Sequence, residues 1–174
     1  MPSSRGSTTT RPEPVFRRAG AADVVPLRDL EQRAGLAALG HVFPPDRYPY
    51  PESDVLARWH LVLADPTAVV EVVDTLDPSL GSGLSVLVAY DAQGTLRHLA
   101  VDPAHWGAGL GKVAVARAVA AMRGLGLPAA RLWCLAENAR ARALYERLGW
   151  RVTGSAQQAP WPPYPVEVEY RLDL

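Results

Sequence analysis

Leu99-Ala100-Val101-Asp102-Pro103-Ala104-His105-Trp106-Gly107-Ala108-Gly109-Leu110-Gly111-Lys112 is the stretch on which the fold turns. A run rich in β-forming residues, Thr95 to Val101, ends in a glycine-rich loop from Asp102 to Gly111. A helical pattern then runs from Gly111 to Met122. Glycine lets backbone N–H groups turn toward a ligand with no Cβ in the way. The helix start adds unpaired N–H groups and the positive end of a dipole. Strand, glycine loop and helix start together describe an anion site of the kind that takes a pyrophosphate. Lys112, in the first helical turn, opposes the dipole and makes more sense with an anion nearby.

Working outward, the helix carries Val113, Val115, Ala116, Val119, Ala120 and Met122 around most of its circumference, which predicts a buried helix. Gly124, Gly126 and Pro128 end it. Upstream, Ala68–Val73, Leu84–Tyr90 and Thr95–Val101 read as an antiparallel meander, turned at Asp77–Gly83 and at Asp91–Gly94. Before it come a short strand at Val15–Arg18 and two helices, Asp23 to about Gly35 and Pro51 to Leu63. Downstream lie a strand Ala130–Leu135, a helix Ala139–Leu148, and strands Trp150–Thr153 and Val166–Leu172. The order predicts an α+β fold, a mixed and largely antiparallel sheet of about six to seven strands with helices on both faces. The expected organisation is a flexible tail over 1–12 and one domain over 13–174.

Composition limits the function. The chain has 174 residues, 18 Lys+Arg against 18 Asp+Glu, and a hydrophobic fraction of 48%. A neutral chain offers no basic surface for nucleic acid or a membrane, and no apolar run is long enough to span a bilayer. One cysteine, Cys134, excludes an internal disulfide and a Cys-cluster metal site, and no metal is expected. Cys134 sits in a predicted buried strand with no evident base, so it is a poor nucleophile. Met1 to Thr10 is Ser/Thr-rich without an apolar core, so it reads as a tail and not a signal peptide, and the expected location is cytoplasmic.

The loop is not a Walker A loop, which needs Gly where Trp106 stands and Ser or Thr at Val113. A Rossmann pattern started at Gly107 fails at Lys112. Started at Gly109, it matches loosely through Gly111 and Ala114, but it follows a meander, and the next strand leads to Ala136 and not to an acidic residue. The segment 99–112 instead resembles the acetyl-CoA signature of the GNAT superfamily: a strand ending in Val-x-Pro, here Val101 and Pro103, then two small residues, here Gly109 and Gly111. Trp106 stands where that signature has Gln or Arg. A second segment, Leu132 to Trp150, is similar to the family's Asn then Ala-x-x-x-Tyr-x-x-x-Gly-Phe pattern. Asn138, Ala141, Tyr145 and Gly149 match, with Trp150 for Phe.

The resemblance covers roughly residues 84–172 and implies an acetyltransferase with acetyl-CoA as co-substrate. The sheet would be splayed between strands 95–101 and 130–135. The pantetheine arm would pair with the backbone of Leu99, Ala100 and Val101. The phosphates would rest against Trp106, Gly107, Ala108, Gly109, Leu110, Gly111 and Lys112. Asn138 would cap the last helix and contact CoA. Tyr145 would contact CoA and act as the general acid, and periodicity places it on the apolar face with Ala141, Leu144 and Leu148. His98, next to the acetyl site, is the candidate base, with strand alternation putting it on the face opposite Leu99 and Val101. Glu71 in an apolar strand is either exposed or functional. Some family members that acetylate protein N-termini carry Glu at about the position of Trp133.

The acceptor is expected to be a small-molecule amine. Two proline-aromatic loops, His41–Pro51 with Phe43, Tyr48 and Tyr50, and Ala159–Pro165 with Trp161 and Tyr164, would flank it. Protein N-terminal acetylation and non-catalytic acyl-CoA binding remain as alternatives, and a homodimer is compatible with all three.

Overall fold

The computed structural model describes residues 13–75 and 83–174, so the expected tail over 1–12 and most of the turn at Asp77–Gly83 lie outside the described residues. The strands are β1 (Arg17–Arg18), β2 (Ala68–Asp74), β3 (Leu84–Asp91), β4 (Leu96–Val101), β5 (Ala129–Leu135), β6 (Arg151–Gln158) and β7 (Val166–Asp173). The helices are α1 (Val24–Leu39), α2 (Glu52–Ala64), α3 (Leu110–Gly124) and α4 (Ala139–Arg147). They form the expected mixed α+β fold. One sheet has the order β1-β2-β3-β4 and the other β5-β7-β6, with every paired strand antiparallel.

Two apolar cores sit on opposite faces of the first sheet. Val70, Val72, Leu87 and Ala89 pack under α1 and α2 against Leu27, Leu30 and the fully buried Trp59. Val73, Val86, Val88 and Tyr90 pack on the other side with α3, β5 and Tyr145 of α4. The alternation along β2 and β3 therefore serves both faces, which is why these strands read as continuous apolar runs.

Three elements differ from the sequence reading. α1 continues through Gly35 to Leu39, because Leu36-Ala37-Ala38-Leu39 are strong helix formers that outweigh one glycine. α3 is not buried all round: Leu110, Ala114, Val115, Ala118, Val119 and Met122 are covered, while Val113 is 42% exposed and Ala116 and Ala120 also face out. Small exposed alanines made the helix look more apolar than its packing requires. β6 runs on to Gln158 past an irregularity between Val152 and Ala156, where Gly154 has φ +94°. That bulge breaks the period-2 pattern that would have revealed the second half. No helix among the described residues is long and apolar enough to cross a membrane.

Candidate active site

The two sheets meet at one point. Thr95 and Arg131 form an isolated parallel bridge, and Arg131 N donates to Gly94 O at 2.8 Å. It is the one bridge between the sheets among the described residues. Beyond it β4 and β5 run as members of separate sheets, which is the expected splay. Gly94 makes the junction close: at φ +89°, a Cβ there would meet Ala129 O at 2.7 Å.

β4 carries a feature not anticipated from sequence. Tyr90 pairs with Leu96 and Ala89 with His98, leaving Arg97 as an extra residue. This bulge bends the strand just before residues 98–101 and interrupts the ladder with β3. Arg97 reaches to Asp65 at 2.7 Å. Leu99 and Val101 pack toward the α3 core, and Ala100 toward the α1/α2 core.

At the end of β4 the chain makes one tight turn, Pro103–His105, capped by Asp102, whose carboxylate accepts from Ala104 N at 3.0 Å. Arg33 of α1 binds the same carboxylate at 2.9 Å and 3.0 Å. The loop then passes Gly107 and Gly109 at φ +82° and +80°, the left-handed region that favours glycine. A Cβ on either would meet nothing within 4 Å, so the space above the loop is open. Val113 N donates to Gly109 O at 3.1 Å, while the N–H groups of Leu110, Gly111 and Lys112 meet no acceptor among the described residues. Three open donors at a helix start, above clear space, suit an oxyanion and fit a CoA pyrophosphate.

Across the splay stands α4. Asn138 is its N-cap, and its Oδ1 accepts from Ala141 N at 3.1 Å. Tyr145 is buried, its ring 5.9 Å from Trp150 and 6.0 Å from Tyr170. Burial, and secondarily Cys134, push its phenol well above the usual tyrosine range, so it stays protonated at neutral pH. Its hydroxyl has no hydrogen-bond partner among the described residues. Arg142, which helical periodicity assigns to the polar side, anchors the helix: Nε donates to the Tyr170 hydroxyl at 3.0 Å and Nη1 to Ala136 O at 3.1 Å. The Cys134 thiol is pushed up to about 12 by burial, consistent with its expected inertness.

His98 lies on the α1/α2 side of β4, its ring 4.9 Å from that of Trp59. Burial first, then the Arg58 and Arg97 guanidiniums, push its pKa down to about 3, so it is neutral at working pH and a weak base. Beneath it Glu31 accepts from Arg58 and from Trp59 Nε1, the latter at 3.0 Å. These partners come from helices 39 to 67 residues away in sequence, and no local motif announces them. Glu71 is buried in an ion pair: it accepts from Arg117 of α3 at 2.8 Å and 3.0 Å and from the Tyr90 hydroxyl at 3.1 Å. That network joins α3 to the sheet and has no contact with the loop. Trp133 is 39% exposed on β5 opposite the buried Glu169. No group of His, Cys, Asp and Glu suited to a metal occurs among the described residues.

A sheet parted at one strand pair, with an anion cradle at the parting and a neutral phenol beside it, has the architecture of an acyl-CoA-dependent acyltransferase. A model of the Acetyltransferase (GNAT) family matches residues 35–150, and the chain belongs to that family. A mycothiol acetyltransferase of Beutenbergia cavernae is 33% identical over 124 residues, 70% of this chain and 42% of that protein. The chain thus spans under half the length of this relative. Among solved structures, the ribosomal-protein-S18-alanine N-acetyltransferase of Escherichia coli superposes with a TM-score of 0.68 at 18% identity, over 92% of this chain and 94% of that one. The PaiA N-acetyltransferase of Thermoplasma acidophilum, in complex with coenzyme A, gives 0.62 at 14% identity, over 90% and 98%.

Proposed function

We propose that this chain transfers the acetyl group of acetyl-CoA to the primary amine of a small molecule, by direct attack within a ternary complex. The observation that carries this reading is the protonated hydroxyl of the buried residue Tyr145, unengaged among the described residues. A neutral amine attacks the thioester carbon, a C–N bond forms, and the C–S bond breaks as the tetrahedral adduct collapses. Tyr145 gives its proton to the leaving thiolate and regains one from solvent, while the amine nitrogen gives one proton to His98, which passes it to solvent. Backbone N–H groups near Leu99 and Ala100, beside the Arg97 bulge, receive the developing oxyanion. His98 remains the candidate base; its depressed pKa requires that it act as a neutral acceptor on an amine delivered already deprotonated.

The acceptor reading rests on the two proline-aromatic loops. Ala159 N donates to Pro165 O at 2.8 Å, closing the second loop, and Trp161 and Tyr164 are 44% and 52% exposed. Ala136 N donates to Val166 O at 2.8 Å, which sets that loop at the open end of β5. The name of the Beutenbergia relative puts a mycothiol-type amine first among acceptors to try.

The test is thiol release from acetyl-CoA across small amines, amino acids, sugars bearing amines, and peptides beginning with alanine. Turnover on a small amine supports the reading. Turnover confined to peptides replaces it with the protein-directed alternative, and CoA binding without turnover on any acceptor replaces it with the binding-module alternative.

A further inference from the structure

Trp106 occupies the position where the family signature carries Gln or Arg, and its side chain does two things. Indole Nε1 donates to Val101 O at 2.8 Å, folding the ring back over the end of β4. The ring face carries the guanidinium of Arg140, 4.1 Å from the ring centroid. Arg140 is exposed in the first turn of α4 and makes no ion pair among the described residues. Neither α3 nor α4 has an acidic residue in its first turn. A second stack in the molecule shows what a structural arginine looks like. Arg117 lies 5.2 Å from the Phe16 ring centroid, and it also binds the Glu71 carboxylate through two nitrogens.

We propose that Arg140, held over the ring of Trp106, is a phosphate ligand for CoA, so that a tryptophan–arginine pair supplies a polar side-chain contact where the family motif has Gln or Arg in the loop itself. The inference rests on the reading that the chain takes an acyl-CoA donor. A guanidinium stacked by one face keeps its in-plane N–H fork free for a bidentate contact with phosphate oxygens. Trp106 leads directly into the Gly107–Gly109 turn, and α4 approaches the start of α3, where a Cβ at Gly111 would lie 3.1 Å from Leu144; the stack therefore ties Arg140 to the loop that ends in the open N–H groups of residues 110–112. Stacking also restricts the rotamers of a long side chain before the ligand arrives, which lowers the entropy lost on binding.

Calorimetric titration of the full chain with CoA, dephospho-CoA and pantetheine tests this. Arg140→Gln should weaken CoA by about tenfold, the loss expected for one charged hydrogen-bonding group at a part-exposed site. Pantetheine, which has no phosphate, should bind both proteins alike. Trp106→Ala should weaken CoA to a similar degree, and the double variant should be little worse than either single one, because the two side chains act as a unit. A dephospho-CoA affinity that still falls with Arg140→Gln assigns the contact to the pyrophosphate; one that no longer falls assigns it to the 3′-phosphate. CoA affinity unchanged by Arg140→Gln, or CoA and pantetheine weakened equally, overturns the proposal. Should Trp106→Ala unfold, Arg140→Gln alone decides. If the unaltered protein binds no CoA, it is the acyl-CoA reading that falls.

Discussion

The α1/α2 side of the molecule and the α3/α4 side treat positive charge in opposite ways. The three arginines of α1 and α2 each have a carboxylate: Arg28 with Asp29 and Glu52, Arg33 with Asp102, Arg58 with Glu31. α2 also begins with Glu52 and Asp54 in its first turn, where the helix dipole favours negative charge. On the other side, α3 and α4 begin with Lys112 and Arg140 in their first turns and no acid beside them. The first surface is electrostatically complete in the protein alone. The second carries unfavourable charge–dipole placement, and that imbalance is relieved when an anion lies between the two helix starts. Unpaired charge at a helix start thus separates a site from a surface better than charge itself, since the whole chain is neutral.

Chemistry can be removed without touching either surface. Tyr145→Phe removes a hydroxyl with no partner among the described residues, so melting temperature and CoA affinity should hold while kcat falls about 100-fold, the lower end for loss of a general acid. A variant with full kcat removes Tyr145 from that role. Next in size is Glu71→Ala, which disrupts a paired cation on the α3 helix itself. Losing one partner of a buried pair costs about 3–5 kcal/mol. Arg117 is 48% exposed and regains water, so we expect nearer ~2 kcal/mol in denaturant unfolding, with CoA affinity unchanged. A matching loss of CoA affinity would show that paired and unpaired cations of α3 cannot be separated.

Gly109→Ala should come third. The new Cβ meets no atom, so the penalty is the left-handed backbone alone, about 1–2 kcal/mol. Gly124→Ala, a position without positive φ and equally open, is the control that should leave stability level or higher. Equal effects at both would mean the loop backbone is not held in the conformation that aims its N–H groups. At neutral pH the smallest effect belongs to His98. Its folded pKa of about 3 lies below the value near 6.5 of an unfolded histidine, so below pH 6.5 the unfolded state binds a proton the folded state refuses. Stability is therefore undiminished above pH 6.5 and falls as pH drops toward 3, by at most about 1.4 kcal/mol per pH unit from this group. His98→Gln should flatten that slope in urea melts between pH 6.5 and 4. An unchanged slope would mean the ring is hydrated in spite of its packing on Trp59.

Much of this was legible in sequence because it is local. The 99–112 and 132–150 segments each carry their meaning within one strand, loop or helix, and the splay followed from the family they resemble. What escaped is set by partners far apart in the chain. The Arg97 bulge depends on how β4 meets β3, and alternation within β4 alone leaves it hidden. The Trp106–Arg140 stack joins positions 34 apart on two elements, so Arg140 reads from helical spacing as one more polar-face residue. Glu71 was ambiguous for the same reason: whether a carboxylate in an apolar strand is exposed or paired depends on Arg117, on another element.

The junction at Gly94 has a mechanical meaning. The sheets are like two covers bound along a spine one bridge wide, and the mouth lies at the far end of β4, six residues on and about 20 Å away. Over such a lever, a wedge of a few tenths of an ångström at the spine is multiplied severalfold where the thioester would enter. A single Cβ at residue 94, crowding Ala129 O at 2.7 Å, is such a wedge. A side chain at residue 94 would therefore press on the closed end of the cleft, far along β4 from its mouth.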